Sequence, residues 1–269
     1  MLVDIKVFAT DMDGTFLNSQ HDYDRQRFAH LFEKIDAQQK HFVAISGNQY
    51  YQIREFFPGY ADKMTIVGEN GAYIVDKGQL LKTFPLNNDI VSVLIDYLYA
   101  NKLAHRALAC GEKSAYILDS ASAADKEMFS LYYTELVIIE SFKALPADNI
   151  LKFSFNSSIS ETQAIVESLN IRLDGRVLAV ETGNGNVDVI GKDINKGSAL
   201  RFLLDYWKLS PKNLVAFGDS QNDLEMLTMT DNSYAMMNAA EKVKEAASFI
   251  TSSNDDCGVM AVMEKLMGI

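Results

Sequence analysis

Cysteine is scarce in this chain. Cys110 and Cys257 are the whole complement, and they sit in unrelated contexts with no CxxC pair. A disulfide framework is therefore excluded, and two reduced thiols in a cytoplasmic protein are the expectation. Histidine is scarce too: His21, His30, His41 and His105 have no spacing of a metal site or a nucleophile pair. Positive charge is in deficit, with 25 Lys and Arg against 36 Asp and Glu, a formal net charge of −11. Such a field repels nucleic acid and anionic membrane surfaces, so neither is an expected partner. No apolar run approaches the length of a membrane span. The opening MLVDIKVFATDMDG has an acidic residue at Asp4 and only a short apolar stretch, which does not read as a signal peptide. Internal repeats, low-complexity stretches and Pro- or Ser-rich linkers are missing as well.

What is present is an ordinary globular composition, 48% hydrophobic and 23% charged over 269 residues. That length holds a main domain and a sizeable insertion. Residues 5–10, IKVFAT, form a continuous apolar run ending at Asp11. A run without polar alternation predicts a strand buried on both faces of a parallel sheet. Phe28, Leu31, Phe32 and Ile35 recur at helical spacing within residues 24–39. HFVAIS (41–46), a helix over 49–57, MTIVG (64–68) and a hairpin turning near Lys77-Gly78 follow. Beyond Thr83 the rhythm changes to roughly two strands per helix, including a helix over 122–134 and a glycine-rich hairpin around 182–186. From Asn195 the helix–strand alternation returns: a helix over 196–208, the strand NLVAFG (213–218) and a helix over 223–229. The pattern predicts an α/β protein. Residues 1–82 and 191–269 form a Rossmann-like core with a parallel sheet, and residues 83–190 form an inserted α+β domain. Tyr50-Tyr51, Tyr132-Tyr133 and the methionines at 260, 263 and 267 read as packing residues.

Four short segments carry the chemistry. Asp11-Met12-Asp13-Gly14-Thr15 ends the first strand, where open parallel sheets bind ligands. Two carboxylates so close are costly unless a cation or substrate uses them, although an Asp-Gly turn alone is common. Gly218-Asp219-Ser220-Gln221-Asn222-Asp223 ends a later strand in the same way. Helix capping accounts well for Ser220 and Asp223 but poorly for Asp219. Acidic groups from two strand ends suit magnesium, a hard cation that retains waters and accepts phosphate oxygens. Ser46-Gly47 offers a hydroxyl and free N–H groups at a helix start, which can hold a phosphate, although by itself a plain β–α turn explains the segment better. Lys196 alone reads as a solvated surface lysine, but it opens a helix where the first rhythm returns, and an anionic site needs a fixed cation besides the metal.

Taken in order, DMDGT (11–15), ISGN (45–48), NKG (195–197) and GDSQND (218–223) resemble the haloacid-dehalogenase-like (HAD) phosphatases. The resemblance runs over essentially the whole chain. Within that superfamily the chain is similar to the Cof-type branch, with Glu69-Asn70-Gly71-Ala72 as its ENGA stretch. That branch places its cap between the second and third motifs (type C2), and its sugar-phosphate phosphatases are similar to this chain over ISGNQYYQ and VGENGAYI. Many members carry arginine where Asn48 stands.

The resemblance implies a magnesium-dependent, cytoplasmic phosphatase acting on small phosphorylated metabolites, with sugar phosphates as the expected substrates. It implies that Asp11 is the nucleophile and Asp13 the general acid and base. The Asp11 and Asp219 carboxylates and the Asp13 carbonyl would hold the metal. Ser46, Gly47, Lys196, Asn222 and the Met12 N–H would hold the phosphoryl group, supported by Thr15 and Asp223. Asn48, Asn70, Asn184, Asn186 and Asp188 are the candidate substrate contacts, the last three in the inserted domain. A plain hairpin turn explains that last group equally well. Other readings are a receiver-type signalling module, a sugar-phosphate-binding regulator without turnover, a mutase, and a phosphatase for a nucleotide or cofactor phosphate. A receiver is about half this length, and only about 30 residues separate Thr15 from Ser46, too few for the cap of the mutase-type relatives. A regulator gains little from Asp13. The sequence is compatible with a monomer and does not fix the oligomeric state.

Overall fold

The computed structural model describes residues 4–183 and 185–269. Four buried residues make β1 (Val7–Thr10), with water on neither face. α1 (Arg25–Ala37) starts where the Asp24 side chain accepts a hydrogen bond from the Arg27 amide at 2.9 Å. It buries Phe28, Leu31, Phe32 and Ile35, the predicted stripe. The Phe28 ring meets Phe16, Tyr23, Phe42 and Phe57 with centroids 5.2–5.5 Å apart. Each such ring contributes about 2–3 kcal/mol by burial, so this cluster fixes α1 against the sheet.

The chain continues through β2 (His41–Ile45), α2 (Tyr50–Glu55), β3 (Thr65–Gly68), β4 (Tyr73–Asp76) and β5 (Gln79–Thr83). Lys77 and Gly78 both take positive φ between the last two strands, as a two-residue hairpin turn requires. Next come α3 (Asn88–Ala100), β6 (Ala107–Gly111), β7 (Ala115–Leu118), α4 (Ala123–Ser130), β8 (Leu136–Ile139), β9 (Ile150–Asn156), α5 (Ile159–Arg172), β10 (Val177–Gly183) and β11 (Asn186–Gly191). The last stretch contains α6 (Lys196–Trp207), β12 (Leu214–Gly218), α7 (Leu224–Leu227), β13 (Ser233–Met236), α8 (Glu241–Ala246), β14 (Phe249–Thr251) and α9 (Gly258–Met267).

The chain divides into two compact units, Met1–Leu81 with Asn195–Ile269, and Lys82–Ile194. The first carries an eight-stranded sheet in the order β14-β13-β12-β1-β2-β3-β4-β5. Its strands run parallel from β14 to β3, and β4 returns antiparallel. The mixed α/β architecture with a Rossmann-like parallel core is therefore as the sequence indicates. β12, β1, β2 and β3 lie side by side, so Asp219, Asp11, Ser46 and Glu69 follow four adjacent strand ends.

The second unit has a six-stranded sheet in the order β10-β11-β9-β6-β7-β8, antiparallel except between β7 and β8. Phe153, Phe155, Val187 and Val189 of β9 and β11 belong to one apolar core with residues of α3 and α5. Lys152, Ser154, Asn186 and Asp188 alternate with them, as period-two side chains must.

Three local expectations are corrected. The helix expected over 122–134 ends at Ser130, and Tyr132 is exposed while Tyr133 is buried. The helix expected over 223–229 is a 3-10 turn (Gln221–Asp223) followed by the short α7. Ile5 and Lys6 precede β1 instead of belonging to it.

Candidate active site

Asp11 prolongs the ladder of β1, its amide donating to the Phe217 carbonyl at 3.1 Å. Main-chain pairing thus fixes the carboxylate at the sheet's end, where it is buried. The next residues turn sharply: the Met12 carbonyl accepts from the amides of Thr15, Phe16 and Leu17. Gly14 takes φ +75°, and a Cβ there would stand 2.7 Å from Asp219 Oδ2. Only glycine serves at a left-handed position so close to a carboxylate. Thr15 Oγ1 donates to Asp219 Oδ1 at 2.7 Å, joining the first and last motifs.

Lys196 is the first residue of α6, whose start is fixed by a reciprocal capping box between Asn195 and Ser198. Its ammonium is buried and donates to both Asp11 Oδ1 and Asp223 Oδ1, the latter at 2.6 Å. Asp223 therefore has two duties. Oδ1 meets the lysine, and Oδ2 accepts from the amides of Asp219 and Ser220, each at 3.0 Å. The capping that the sequence suggests for Asp223 and its contact with the lysine thus fall on two oxygens of one side chain.

Burial, the neighbouring Asp223 and Asp219 charges, and against them the Lys196 ammonium act on Asp11, and the net result holds its carboxyl well above the usual carboxylate range. Burial likewise raises Asp219, opposed by the Thr15 hydroxyl and aided by Asp223. Burial acts to lower Lys196, but the Asp11 and Asp223 carboxylates outweigh it and keep the ammonium charged. Oxygens of Asp11, Asp219 and Asp223 lie within 4.8 Å of one another. One ammonium against three carboxylates leaves an excess of negative charge. Carboxylate oxygens are donors for a hard divalent cation such as magnesium. With both Asp223 oxygens engaged, Asp11 and Asp219 are the pair that fits it.

Ser46 follows β2 and is buried, and its Oγ accepts from the Asn48 amide at 3.1 Å. Its carbonyl accepts from the Asn70 amide at 3.0 Å. Asn70 is buried with φ 55°, a conformation asparagine tolerates, and its Oδ1 accepts from Asn222 Nδ2 at 3.1 Å. Gly47 lies beside it: a Cβ there would stand 3.1 Å from Asn70 Oδ1. Asp11, Asp13, Thr15, Ser46, Gly47, Asn48, Asn70, Lys196, Asp219, Asn222 and Asp223 thus belong to one cluster at the strand ends.

The other expected contacts lie in the second unit. Asp188 forms a buried ion pair with Lys152 at 3.1 Å, and Asn186 Oδ1 accepts from Ser154 Oγ at 3.1 Å. Asn184 lies outside the described residues.

Two contacts were not legible in the sequence. Asn48 Nδ2 donates to Asp13 Oδ2 at 2.8 Å, so an expected substrate contact meets a carboxylate of the cluster. His21 Nδ1 stands 3.5 Å from Asp13 Oδ1, presented by a residue with φ 55°. No fixed spacing announces either pair.

A sequence profile of haloacid dehalogenase-like hydrolases matches residues 8–263. The chain belongs to that family. It is 36% identical over 263 residues to the 5-amino-6-(5-phospho-D-ribitylamino)uracil phosphatase YbjI of Escherichia coli, covering 98% of this chain and 96% of the relative. A 5-amino-6-(5-phospho-D-ribitylamino)uracil phosphatase of Bacillus subtilis is 24% identical over 288 residues, with 98% of each chain covered. The crystal structure of a Streptococcus mutans protein superposes with a TM-score of 0.91 at 35% identity, covering 98% of this chain and all of that one. A Thermotoga maritima structure at 23% identity and TM-score 0.84 shares the fold, with 97% of each chain covered. The hydrolase is a phosphoric monoester hydrolase. Among its described residues no helix is long and apolar enough to cross a membrane.

Proposed function

We propose that this phosphatase hydrolyses phosphate monoesters of sugars and related polyols by way of an aspartyl-phosphate on Asp11. The observation that carries the reading is the buried Lys196 ammonium held between Asp11 and Asp223 at the ends of adjacent strands. A carboxylate placed so is a nucleophile beside a fixed cation, the arrangement a dianionic phosphoryl group needs.

In the first step an Asp11 oxygen bonds to phosphorus while the phosphorus–alkoxide bond breaks, and Asp13 gives its proton to the leaving oxygen. In the second, water attacks phosphorus and the bond to Asp11 breaks. Asp13 recovers a proton from that water, so the enzyme returns to its starting state. Lys196, the Ser46 hydroxyl, Asn222 and the N–H groups of Met12 and Gly47 hold the phosphoryl oxygens through both steps. Asp11, Asp219 and the Asp13 carbonyl would hold magnesium, which neutralises charge between nucleophile and phosphoryl group. The inserted unit serves as the cap that reads the alcohol, with Asn186 and Asp188 among its contacts.

A second reading of the substrate comes from the activity of the two phosphatase relatives. Their phosphate sits on a five-carbon polyol attached to a pyrimidine. A pentose phosphate and a phosphoribityl compound share a primary alkyl phosphate on a hydroxylated chain. Phosphate release should therefore be measured on pentose and hexose phosphates and on the phosphoribityl pyrimidine, with and without magnesium. Turnover confined to the pyrimidine compound would replace the sugar reading. Binding without release from any compound would favour a regulator.

A further inference from the structure

We propose that Asn48 is a positioning residue: its amide locks the Asp13 carboxyl and reserves Asp13 Oδ1 for exchange with the leaving-group oxygen. The inference rests on Asp13 being the general acid and base. Asn48 Nδ2 donates to Asp13 Oδ2 at 2.8 Å, across 35 positions of sequence. An amide N–H₂ group can only donate, so Oδ2 is held as an acceptor. The proton that moves to the departing alkoxide must then be carried on Oδ1. The Asp13 side chain is 42% exposed and its other near neighbour, His21 Nδ1, stands 3.5 Å from Oδ1 on a side chain 69% exposed, so the Asn48 bond is the shorter tie on the carboxyl.

Asn48 can direct Asp13 because its own backbone is fixed on both sides. Its amide donates to Ser46 Oγ at 3.1 Å, and its carbonyl accepts from the Glu69 amide at 3.0 Å. Neither tie uses the side chain, so replacing the side chain leaves the turn after β2 in place. The same turn presents the phosphate-binding Ser46 and Gly47. Asn48 therefore sets the general acid in a fixed relation to the phosphoryl cradle, which is the condition for proton transfer in step with bond cleavage.

The test compares two esters. A pentose phosphate has an alkoxide leaving group that needs a proton, whereas p-nitrophenyl phosphate leaves as a stable phenolate. For a mechanism through a phosphoenzyme, kcat/KM reports steps up to loss of the leaving group. Asn48→Leu, which keeps the side chain's size and removes its donor, should lower kcat/KM on the pentose phosphate by roughly 10- to 100-fold and on the aryl ester less than about threefold. Asn48→Arg, which restores a donor, should recover most of the alkyl ester loss. Where Asn48→Leu lowers the melting temperature, Asn48→Ala is measured in its place. Equal losses on the two esters, or no loss on either, would overturn the proposal. Asp13→Asn is run alongside. If it shows the leaving-group dependence and the Asn48 variants do not, only the role of Asn48 falls; if it too is indifferent, the reading of Asp13 falls first.

Discussion

Among the described residues, each unit of this phosphatase buries a lysine against aspartate, and the surroundings of the two lysines differ. In the second unit Lys152, with its side chain 3% exposed, faces Asp188 at 3.1 Å, with the Tyr133 ring 5.8 Å from the ammonium. That pair is a buried ion pair across β9 and β11. In the first unit Lys196, 1% exposed, meets Asp11 and Asp223 while Asp219 completes a cluster of three carboxylates. A balanced buried pair contributes little net stability beyond avoiding an orphan charge. An unbalanced one is unfavourable on its own and becomes favourable when a cation and a phosphoryl group enter. The same residue types thus build a buried ion pair in one sheet and, in the mechanism proposed, the nucleophile and fixed cation in the other.

That contrast can be broken most severely at the proposed nucleophile. Asp11→Asn should lower turnover by at least about 10⁴-fold, with a circular dichroism spectrum unchanged. Lys196→Met should cost roughly 10²- to 10³-fold in kcat, and replacing Asp223 as well should not restore it. The second unit should behave in the opposite sense. Asp188→Asn removes a charged partner of the buried Lys152 and should destabilise by about 3–5 kcal/mol, read by denaturant unfolding. Lys152→Met combined with Asp188→Leu should recover most of that stability. If substrate contact also falls on this pair, the double variant should raise KM for sugar phosphates and leave p-nitrophenyl phosphate unaffected.

The charge excess also sets a pH dependence. Asp11 and Asp219 are held above the usual carboxylate range, so the folded protein binds more protons than the unfolded chain just above that range. Stability from these two groups is then present below the ordinary carboxylate value and lost as pH rises through the raised ones. A divalent cation needs the ionised oxygens and opposes that loss. The rise in melting temperature on adding magnesium should therefore grow with pH across that window, and EDTA should abolish both the rise and turnover. A rise independent of pH would detach the cation from Asp11 and Asp219. Smallest of all, Ser198→Ala removes half the capping box of α6 and should cost about 1 kcal/mol. Because Lys196 is the first residue of that helix, kcat should fall as well. Ser122→Ala, at the cap of α4 in the other unit, should cost similar stability with kcat unchanged.

Much of the architecture was legible because it follows local periodicity. The apolar run into Asp11 reads as a buried strand, and Phe28, Leu31, Phe32 and Ile35 read as a helix stripe. Short elements were misread: α7 is a single turn, and Tyr132 follows the end of α4 instead of lying within it. Elements of that length carry too few residues for a period to stand out.

By itself the sequence determined the order of strands and helices and the acidic, hydroxylated segments that follow the strands, since both are properties of neighbouring residues. Only the tertiary structure decided which of those segments meet. Parallel pairing of β12, β1, β2 and β3 brings residues 11, 46, 70 and 219 to one end, although up to 208 positions separate them. It also decided that the two oxygens of Asp223 serve different partners and that Asn48 binds Asp13. Hydrogen bonds across such distances depend on strand register and side-chain direction, and neither is written in any local stretch of chain.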